Sequence, residues 1–178
     1  MLESAARCDL TGARILEIGG GIGRLQIELL GAGAERGEVV ELVSAYEPYA
    51  RELARDKGFE ARTSFRVVDI LEDPGAVEPA DVVLLDRVVC CSPDGVALTR
   101  EAARLARGAL VLSYPRYVLS VRAGVRAMNL GLRLMGRSYR AFVHSPEALS
   151  EAAADGGLTI ADRGHGLGWE FATFWRAA

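Results

Sequence analysis

The sequence predicts an α/β fold in a single domain over residues 1–178, with a mostly parallel, seven-stranded sheet that ends in an antiparallel hairpin. Short apolar runs alternate with stretches of helical periodicity between residues 15 and 115. This alternation is typical of βαβ units, whose parallel strands are buried on both faces. Near the C-terminus, a glycine-rich loop separates two runs of β-forming residues, 158–163 and 169–176, which indicates a hairpin.

Each element has a local signal. Apolar or β-branched runs predict five strands before the hairpin, at 15–18, 39–43, 65–71, 81–86 and 109–115. Apolar periodicity predicts helices at 22–30, 45–57 and 97–107. Ser44 is the expected N-cap of the second helix and Gly58 its stop, while Gly108 closes the third.

A glycine-rich turn joins the first strand to the first helix. It reads E-x-G-x-G-x-G and contains Glu17, Gly19, Gly20, Gly21 and Gly23. Glycine lets the backbone approach a ligand closely, and a helix N-terminus follows, so the turn indicates a nucleotide-type site. The dinucleotide fingerprint G-x-G-x-x-G would need glycine at position 24. Arg24 stands there, which disfavours an NAD-type oxidoreductase.

The turn resembles motif I of the class I S-adenosylmethionine-dependent methyltransferases. The resemblance implies the Rossmann-like fold of that family, S-adenosylmethionine as cofactor and S-adenosylhomocysteine as product. A carboxylate at the end of the second strand would then accept hydrogen bonds from both ribose hydroxyls. Glu41, followed by Leu42, is the expected residue; Glu47 is the alternative, although the dipole of the next helix already explains a carboxylate there.

Two further acidic residues lie at the ends of predicted strands. Asp69, with Ile70 or Leu71 beside it, resembles the family position that binds adenine, and a helix N-cap is the alternative. Asp86 and Arg87 lie near the start of the segment LLDRVVCCSPD. This segment resembles motif IV of the family, which faces the transferred methyl group and the substrate.

The second half of the chain is most similar to the magnesium-protoporphyrin IX O-methyltransferases, which methylate a carboxylate. The similarity lies in LLDRVVCCSPD, VLSYPRYVL, RAFVHSPEAL and the terminal aromatic strand. Where those enzymes have histidine before Tyr-Pro, this chain has Cys91 before Ser92 and Pro93. The expected function is therefore methyl transfer to a carboxylate or hydroxyl oxygen of a small, anionic acceptor. Because of this difference, a tetrapyrrole is not assigned as the acceptor. The alternative is a non-catalytic cofactor-binding or membrane-apposed regulatory protein.

Candidates for catalysis are His144, which precedes a helix start, and Tyr114, which follows the fifth strand with Tyr117 at the expected substrate rim. A structural role for His144 and aromatic packing for the tyrosines remain open. Tyr117, Arg122 and Arg126 are the candidate substrate residues.

A basic helical insert is predicted at about 116–142. Residues 102–146 include eight arginines and no Asp or Glu, although the whole chain has a net charge of −3. The five arginines from position 122 to 140 would lie within roughly 60° of one another on a helix. Three glycines predict a hinged element: Gly124, Gly131 and Gly136. The arginines suit a solvated face, a clamp on an anionic substrate or contact with an anionic membrane; nucleic acid is not expected.

Composition indicates a cytoplasmic protein. There is no apolar run of roughly 20 residues and no signal-peptide pattern. Cys8, Cys90 and Cys91 lack the spacing of a metal site or a disulfide framework, so we expect reduced thiols and no metal. The oligomeric state is left open.

Overall fold

The computed structural model describes residues 10–176, which form a seven-stranded sheet in the order β3-β2-β1-β4-β5-β7-β6. The strands are β1 Arg14–Ile18, β2 Arg36–Glu41, β3 Thr63–Val67, β4 Ala80–Leu85, β5 Ala106–Pro115, β6 Leu158–His165 and β7 Trp169–Arg176. The first five strands are parallel, whereas β7 is antiparallel to both β5 and β6. The predicted fold class is confirmed.

Within residues 10–176, five α-helices connect or cover the strands: α1 Arg24–Gly31, α2 Glu47–Asp56, α3 Gly95–Leu105, α4 Leu119–Leu134 and α5 Pro146–Asp155. None of the helices within residues 10–176 is long and apolar enough to cross a bilayer. Cys8 lies outside the described residues.

The sheet separates two hydrophobic clusters because neighbouring residues of a strand point to opposite faces. Leu16 belongs to the cluster that also contains residues of α3 and α5, whereas Ile15 belongs to the cluster with residues of α1 and α2. Both strand residues, Leu16 and Ile15, are 1% exposed. Burial on both faces explains why the strands are nearly continuous apolar runs.

The order in which the chain adds strands to the sheet reverses between β1 and β4. From β1 it adds β2 and then β3 on one side, and it returns to place β4 on the other side of β1. In an open parallel sheet, the loops at the carboxyl ends of such neighbouring strands diverge and leave a crevice for a ligand. The glycine turn after β1 and Asp86 after β4 lie at this crevice.

The predicted start of the second helix is wrong. A 3₁₀ turn at Ser44–Tyr46 precedes α2, and the Ser44 side chain makes no capping hydrogen bond. If Ser44 were the N-cap, residue 48 would donate the first intrahelical bond to its carbonyl. Pro48 has no N–H to donate, so the regular helix begins later, at Glu47.

The third strand was predicted too far along the chain. It ends at Val67, and Asp69 begins a turn instead. The Asp69 carboxylate accepts from the backbone N–H of Leu71 at 2.9 Å, and its carbonyl accepts from the N–H of Asp73. This local side-chain bond offers the backbone an alternative to the sheet ladder.

The third helix also ends earlier than predicted. It stops at Leu105, β5 begins at Ala106, and Gly108 lies inside that strand rather than at a helix cap. A Cβ on Gly108 would lie 2.9 Å from the Asp81 carbonyl oxygen. Gly108 is therefore explained by close strand packing.

Within the insert, Leu119–Leu134 forms a continuous helix without a break at Gly124 or Gly131, and hinge motion there stays a prediction. Both glycines lie within the hydrogen-bonded α4, and Gly136, at φ 69°, follows its end. Arg137 and Arg140 lie beyond the helix, so the predicted five-arginine face is reduced to the three that α4 carries.

Candidate functional site

The glycine turn contains three left-handed residues that a side chain could not easily replace, Gly19, Gly21 and Gly23. Gly19 has φ 62° and Gly21 has φ 55°. A Cβ on Gly19 would approach the Val88 side chain to 2.6 Å, so this glycine is needed for packing. Nothing within 4 Å would meet a Cβ on Gly21. The turn therefore has open space beside Gly21, where a ligand can approach the main chain.

The carboxylate of Glu41 points into this turn from the end of β2. It accepts hydrogen bonds from the backbone N–H groups of Gly21 at 3.0 Å, Leu42 at 2.8 Å and Val43 at 3.2 Å. A carboxylate has about four acceptor positions, so it retains capacity for a ligand hydroxyl. Glu47, in contrast, forms an ion pair with Arg51 at 2.7 Å on the surface of α2. The geometry thus favours Glu41 over Glu47 as the residue facing the crevice.

Glu17 lies inside the protein, against the turn. It is 3% exposed, and its carboxylate accepts from the Gln26 backbone N–H at 2.9 Å. A Cβ on Gly20 would lie 2.6 Å from Glu17 Cγ, so Gly20 is required for this packing. Burial raises the pKa of Glu17 to about 7; the N–H groups of Gln26 and Leu25 oppose the rise, and the charge of Asp86 adds to it. Glu17 supports the turn from within.

Asp86 and Arg87 form the opposite wall of the crevice. Ser113 on β5 donates to Asp86 Oδ1 at 2.6 Å and accepts from the Arg87 backbone N–H at 2.9 Å. Arg87 has φ 58°, the one positive value among the non-glycine residues 10–176. Such strain persists only where the surroundings hold it, and it is common at functional sites. Here Ser113 and Trp169, whose ring lies 5.2 Å below the Arg87 guanidinium, hold it.

Solved structures of methyltransferases share this architecture. The chain is similar to magnesium protoporphyrin IX methyltransferase from Synechocystis PCC 6803 with bound SAH, at 19% identity and a TM-score of 0.76 over 99% of this chain and 81% of that one. The chain has the class I methyltransferase fold. No protein-family model and no curated protein sequence matches it.

This chain covers about half the length of two further solved structures with the methyltransferase fold. An O-methyltransferase family protein from Burkholderia thailandensis has 17% identity and a TM-score of 0.79, covering 100% of this chain and 55% of that one. An O-methyltransferase family 2 protein from Planctomyces limnophilus, in complex with apigenin, has 19% identity and a TM-score of 0.72, covering 96% and 52%. At identities this low, the shared property is the fold.

The residues for which the sequence predicts adenine binding follow β2 and β3. Leu42, beside Glu41, is 64% exposed, so its side chain is free to pack on a ligand. Asp69 holds its turn through Leu71, as described above. Ile70 is 2% exposed and belongs to the core, whereas Leu71 is only partly buried. Of the two apolar candidates, Leu71 has more surface left for a ring.

The two catalytic candidates both contact other groups of the protein, Tyr114 in the core and His144 at a half-buried position. The Tyr114 hydroxyl donates to Glu170 at 2.9 Å, and burial raises the pKa of Tyr114 well above its ordinary value. With 1% exposure, Tyr114 lies in the core, as the aromatic-packing alternative expected, and not at the substrate rim. His144 Nε2 lies 3.0 Å from the Ser92 carbonyl oxygen. Catalytic roles for both residues stay predictions.

The substrate candidates lie outside the core, where α4 begins. Tyr117 is 41% exposed, and the Arg122 guanidinium lies 4.5 Å above its ring, a cation–π arrangement. Arg126 is exposed one turn further along. The structure brings Tyr117 and Arg122 together, and it leaves Arg126 facing solvent.

Sequence reasoning missed Ser113 and Trp169, which support Asp86 and Arg87. Ser113 did carry a signal, because it is a lone polar residue near the carboxyl end of the apolar run 109–115. A polar side chain in a strand buried on both faces needs a hydrogen-bonding partner, and the crevice supplies one. Trp169 had no such signal, since its approach to Arg87 depends on the antiparallel pairing of β7 with β5.

A partly open cavity of about 250 Å³ lies at the opposite edge of the sheet. It is lined by the beginnings of β1 to β4 and by several charged residues, among them Arg14, Arg36 and Arg66. Ligands of open α/β sheets bind at the carboxyl ends of the strands. The cavity is therefore separate from the crevice. No group of three His, Cys, Asp or Glu residues within 10–176 could hold a metal ion.

Proposed function

We propose that this protein transfers a methyl group from S-adenosylmethionine to an oxygen of a small, anionic acceptor. The observation that supports the proposal best is the open main-chain turn at Gly21 together with the Glu41 carboxylate aimed at it. A ligand with an adenosyl group and two ribose hydroxyls suits these features. Gly21 leaves room for it, and Glu41 retains acceptor capacity.

The cofactor supplies an activated methyl group, so the protein mainly positions the acceptor and excludes water. Glu41 would hold the ribose, and Leu42, Asp69 and Leu71 would border the adenine. Asp86 and Arg87 would line the crevice beside the methyl group. Ser113 keeps both in place, because it bonds the side chain of one and the backbone of the other.

An acceptor carboxylate agrees with the side chains around the crevice. A carboxylate is already ionised at neutral pH and needs no general base, whereas a hydroxyl does. The Tyr114 hydroxyl is committed to Glu170, and His144 to the Ser92 carbonyl. Arg122, beside Tyr117, offers a guanidinium that binds carboxylates in bidentate fashion. We therefore place a carboxylate ahead of a hydroxyl as acceptor.

Calorimetric titration with S-adenosylhomocysteine tests the cofactor half of this proposal. Gly21→Arg should abolish binding, because the new side chain would occupy the open space beside the turn. Gly58→Arg is a matched control: Gly58 also has a positive φ, 77°, and nothing within 4 Å of a Cβ, but it lies after α2. Binding that survives Gly21→Arg, or that Gly58→Arg also removes, would contradict the assignment.

Release of label from methyl-labelled S-adenosylmethionine tests the reaction half. Candidate carboxylate and hydroxyl acceptors should be compared in parallel with the wild-type protein. Tight cofactor binding without turnover on any acceptor would instead support a binding protein that keeps the fold.

A further inference from the structure

Helix α4 stands out because none of its residues is buried. Its half-buried side, formed by Val121, Val125, Asn129 and Leu132, turns toward the protein. There Asn129 exchanges two hydrogen bonds with the backbone of Ala141, at 2.7 and 3.0 Å. The helix is thus anchored along one side, and its remaining surface is exposed.

An apolar stripe occupies the side of α4 that faces away from the protein. At about 100° per residue, its members fall within roughly 80° of one another: Leu119, Ala123, Ala127, Leu130 and Leu134. The three leucines are 77%, 60% and 80% exposed. Contiguous exposed leucines of this kind mark an interaction surface.

An arginine ridge runs directly beside the apolar stripe. Arg122, Arg126 and Arg133 fall within roughly 40° of one another on the same helix. No Asp or Glu occurs anywhere in residues 102–146, so the arginines of the ridge have no acidic neighbour within the insert. Their long aliphatic stems let them reach a charged layer while the stripe is inserted beside it.

We infer that α4 docks this protein on the surface of an anionic lipid bilayer. A bilayer has an apolar layer that can accommodate the stripe and phosphate-bearing head groups that can bind the ridge. A second copy of the chain fits poorly, because it would oppose the same arginines. A lid over the crevice also fits poorly, because the stripe faces away from the protein.

The helix would lie in the plane of the interface rather than cross it. Its 16 residues span about 24 Å, and its arginines prevent insertion as a transmembrane segment. Since α4 follows the carboxyl end of β5, docking would hold the crevice edge of the sheet near the membrane. The inference rests on observations of α4, and Arg122 is the one residue that it shares with the proposed acceptor site.

Co-sedimentation with vesicles tests the inference. The full chain should sediment with vesicles that contain about one third phosphatidylglycerol, hardly at all with pure phosphatidylcholine, and less as salt is raised. Arg122→Gln/Arg126→Gln/Arg133→Gln should weaken binding by about a hundredfold, since each arginine near an anionic surface contributes about fivefold. Leu130→Gln/Leu134→Gln should also weaken binding by at least tenfold.

Two control variants separate surface docking from general effects of charge or hydrophobicity. Arg51→Gln/Arg55→Gln/Arg104→Gln removes three exposed arginines from other helices, and Ile160→Gln removes an exposed apolar residue from β6. Both should bind vesicles like wild type. Thermal melts of the α4 variants should match wild type, because they alter no buried residue.

Three outcomes would overturn the inference. The first is that the wild-type chain fails to sediment with anionic vesicles. The second is that the arginine control loses binding as strongly as the ridge variant. The third is that replacing the leucine pair has no effect on binding. If wild type ignores vesicles but is retained by an immobilised acidic polypeptide through the same arginines, α4 is a protein-binding surface instead.

Discussion

Replacing Glu17 with glutamine should change how the stability of this protein depends on pH. Glu17 is 3% exposed, and its carboxylate accepts a backbone hydrogen bond from Gln26. Burial raises its pKa from 4.5 to about 7, because removal from water penalises the charged form. Glutamine has nearly the same shape and can accept the same hydrogen bond, but it has no charge to bury.

The sign of this pH dependence follows from the upward shift of the Glu17 pKa. Between pH 4.5 and about 7 the folded protein holds a proton on Glu17 that the unfolded chain has released, so stability falls as pH rises through this window. A shift of this size, at 1.36 kcal/mol per pKa unit, corresponds to a loss of about 3 kcal/mol. Above pH 7 the loss is complete and remains constant.

Glu17→Gln should therefore match wild type near pH 4.5 and exceed its stability by about 3 kcal/mol at pH 8. Urea denaturation followed by circular dichroism at several pH values measures both quantities. Glu28→Gln, an exposed position on α1, is the matched control and should change the free energy of unfolding little at either pH. The reasoning is refuted if the difference between Glu17→Gln and wild type is the same at pH 4.5 and pH 8.

Two further substitutions test the packing around the site and the core. Ser113→Ala should lower the free energy of unfolding by about 1–3 kcal/mol in urea denaturation, because the half-buried carboxylate of Asp86 loses its 2.6 Å hydrogen-bond donor; an unchanged midpoint would contradict that geometry. Gly156→Ala should cost about 1–3 kcal/mol by overpacking, since the added methyl group would collide with Ala103. In thermal melts, Gly124→Ala on the exposed α4 has nothing within 4 Å to meet and should not lower the midpoint.

Local patterns in the sequence were sufficient to predict the order and type of most elements. Strand β4, for example, is a short apolar run that is buried almost throughout, so burial on both faces left a direct signal in composition. Helix limits were less predictable. Pro48 shifted the start of α2, and the hydrogen bond that the Leu71 N–H donates to the Asp69 carboxylate ended the third strand early.

The placement of Glu41 was also within reach of the sequence. It ends β2 beside β1 in a parallel sheet, and the carboxyl ends of parallel strands meet at one edge. The same rule placed Asp86 beside the glycine turn. In contrast, the sequence left both packing and a rim position open for Tyr114, because the side of a strand on which a residue lies depends on the whole sheet and its cover.

By itself, then, the sequence determined the βαβ order, the glycine turn and the acidic residues at strand ends, because each is written in neighbouring residues. Only the tertiary structure decided which groups meet across long separations, such as Ser113 with Asp86 and Trp169 with Arg87. It also decided how far Glu17 is removed from water, and hence its pKa. These properties depend on packing between distant segments, which no local pattern encodes.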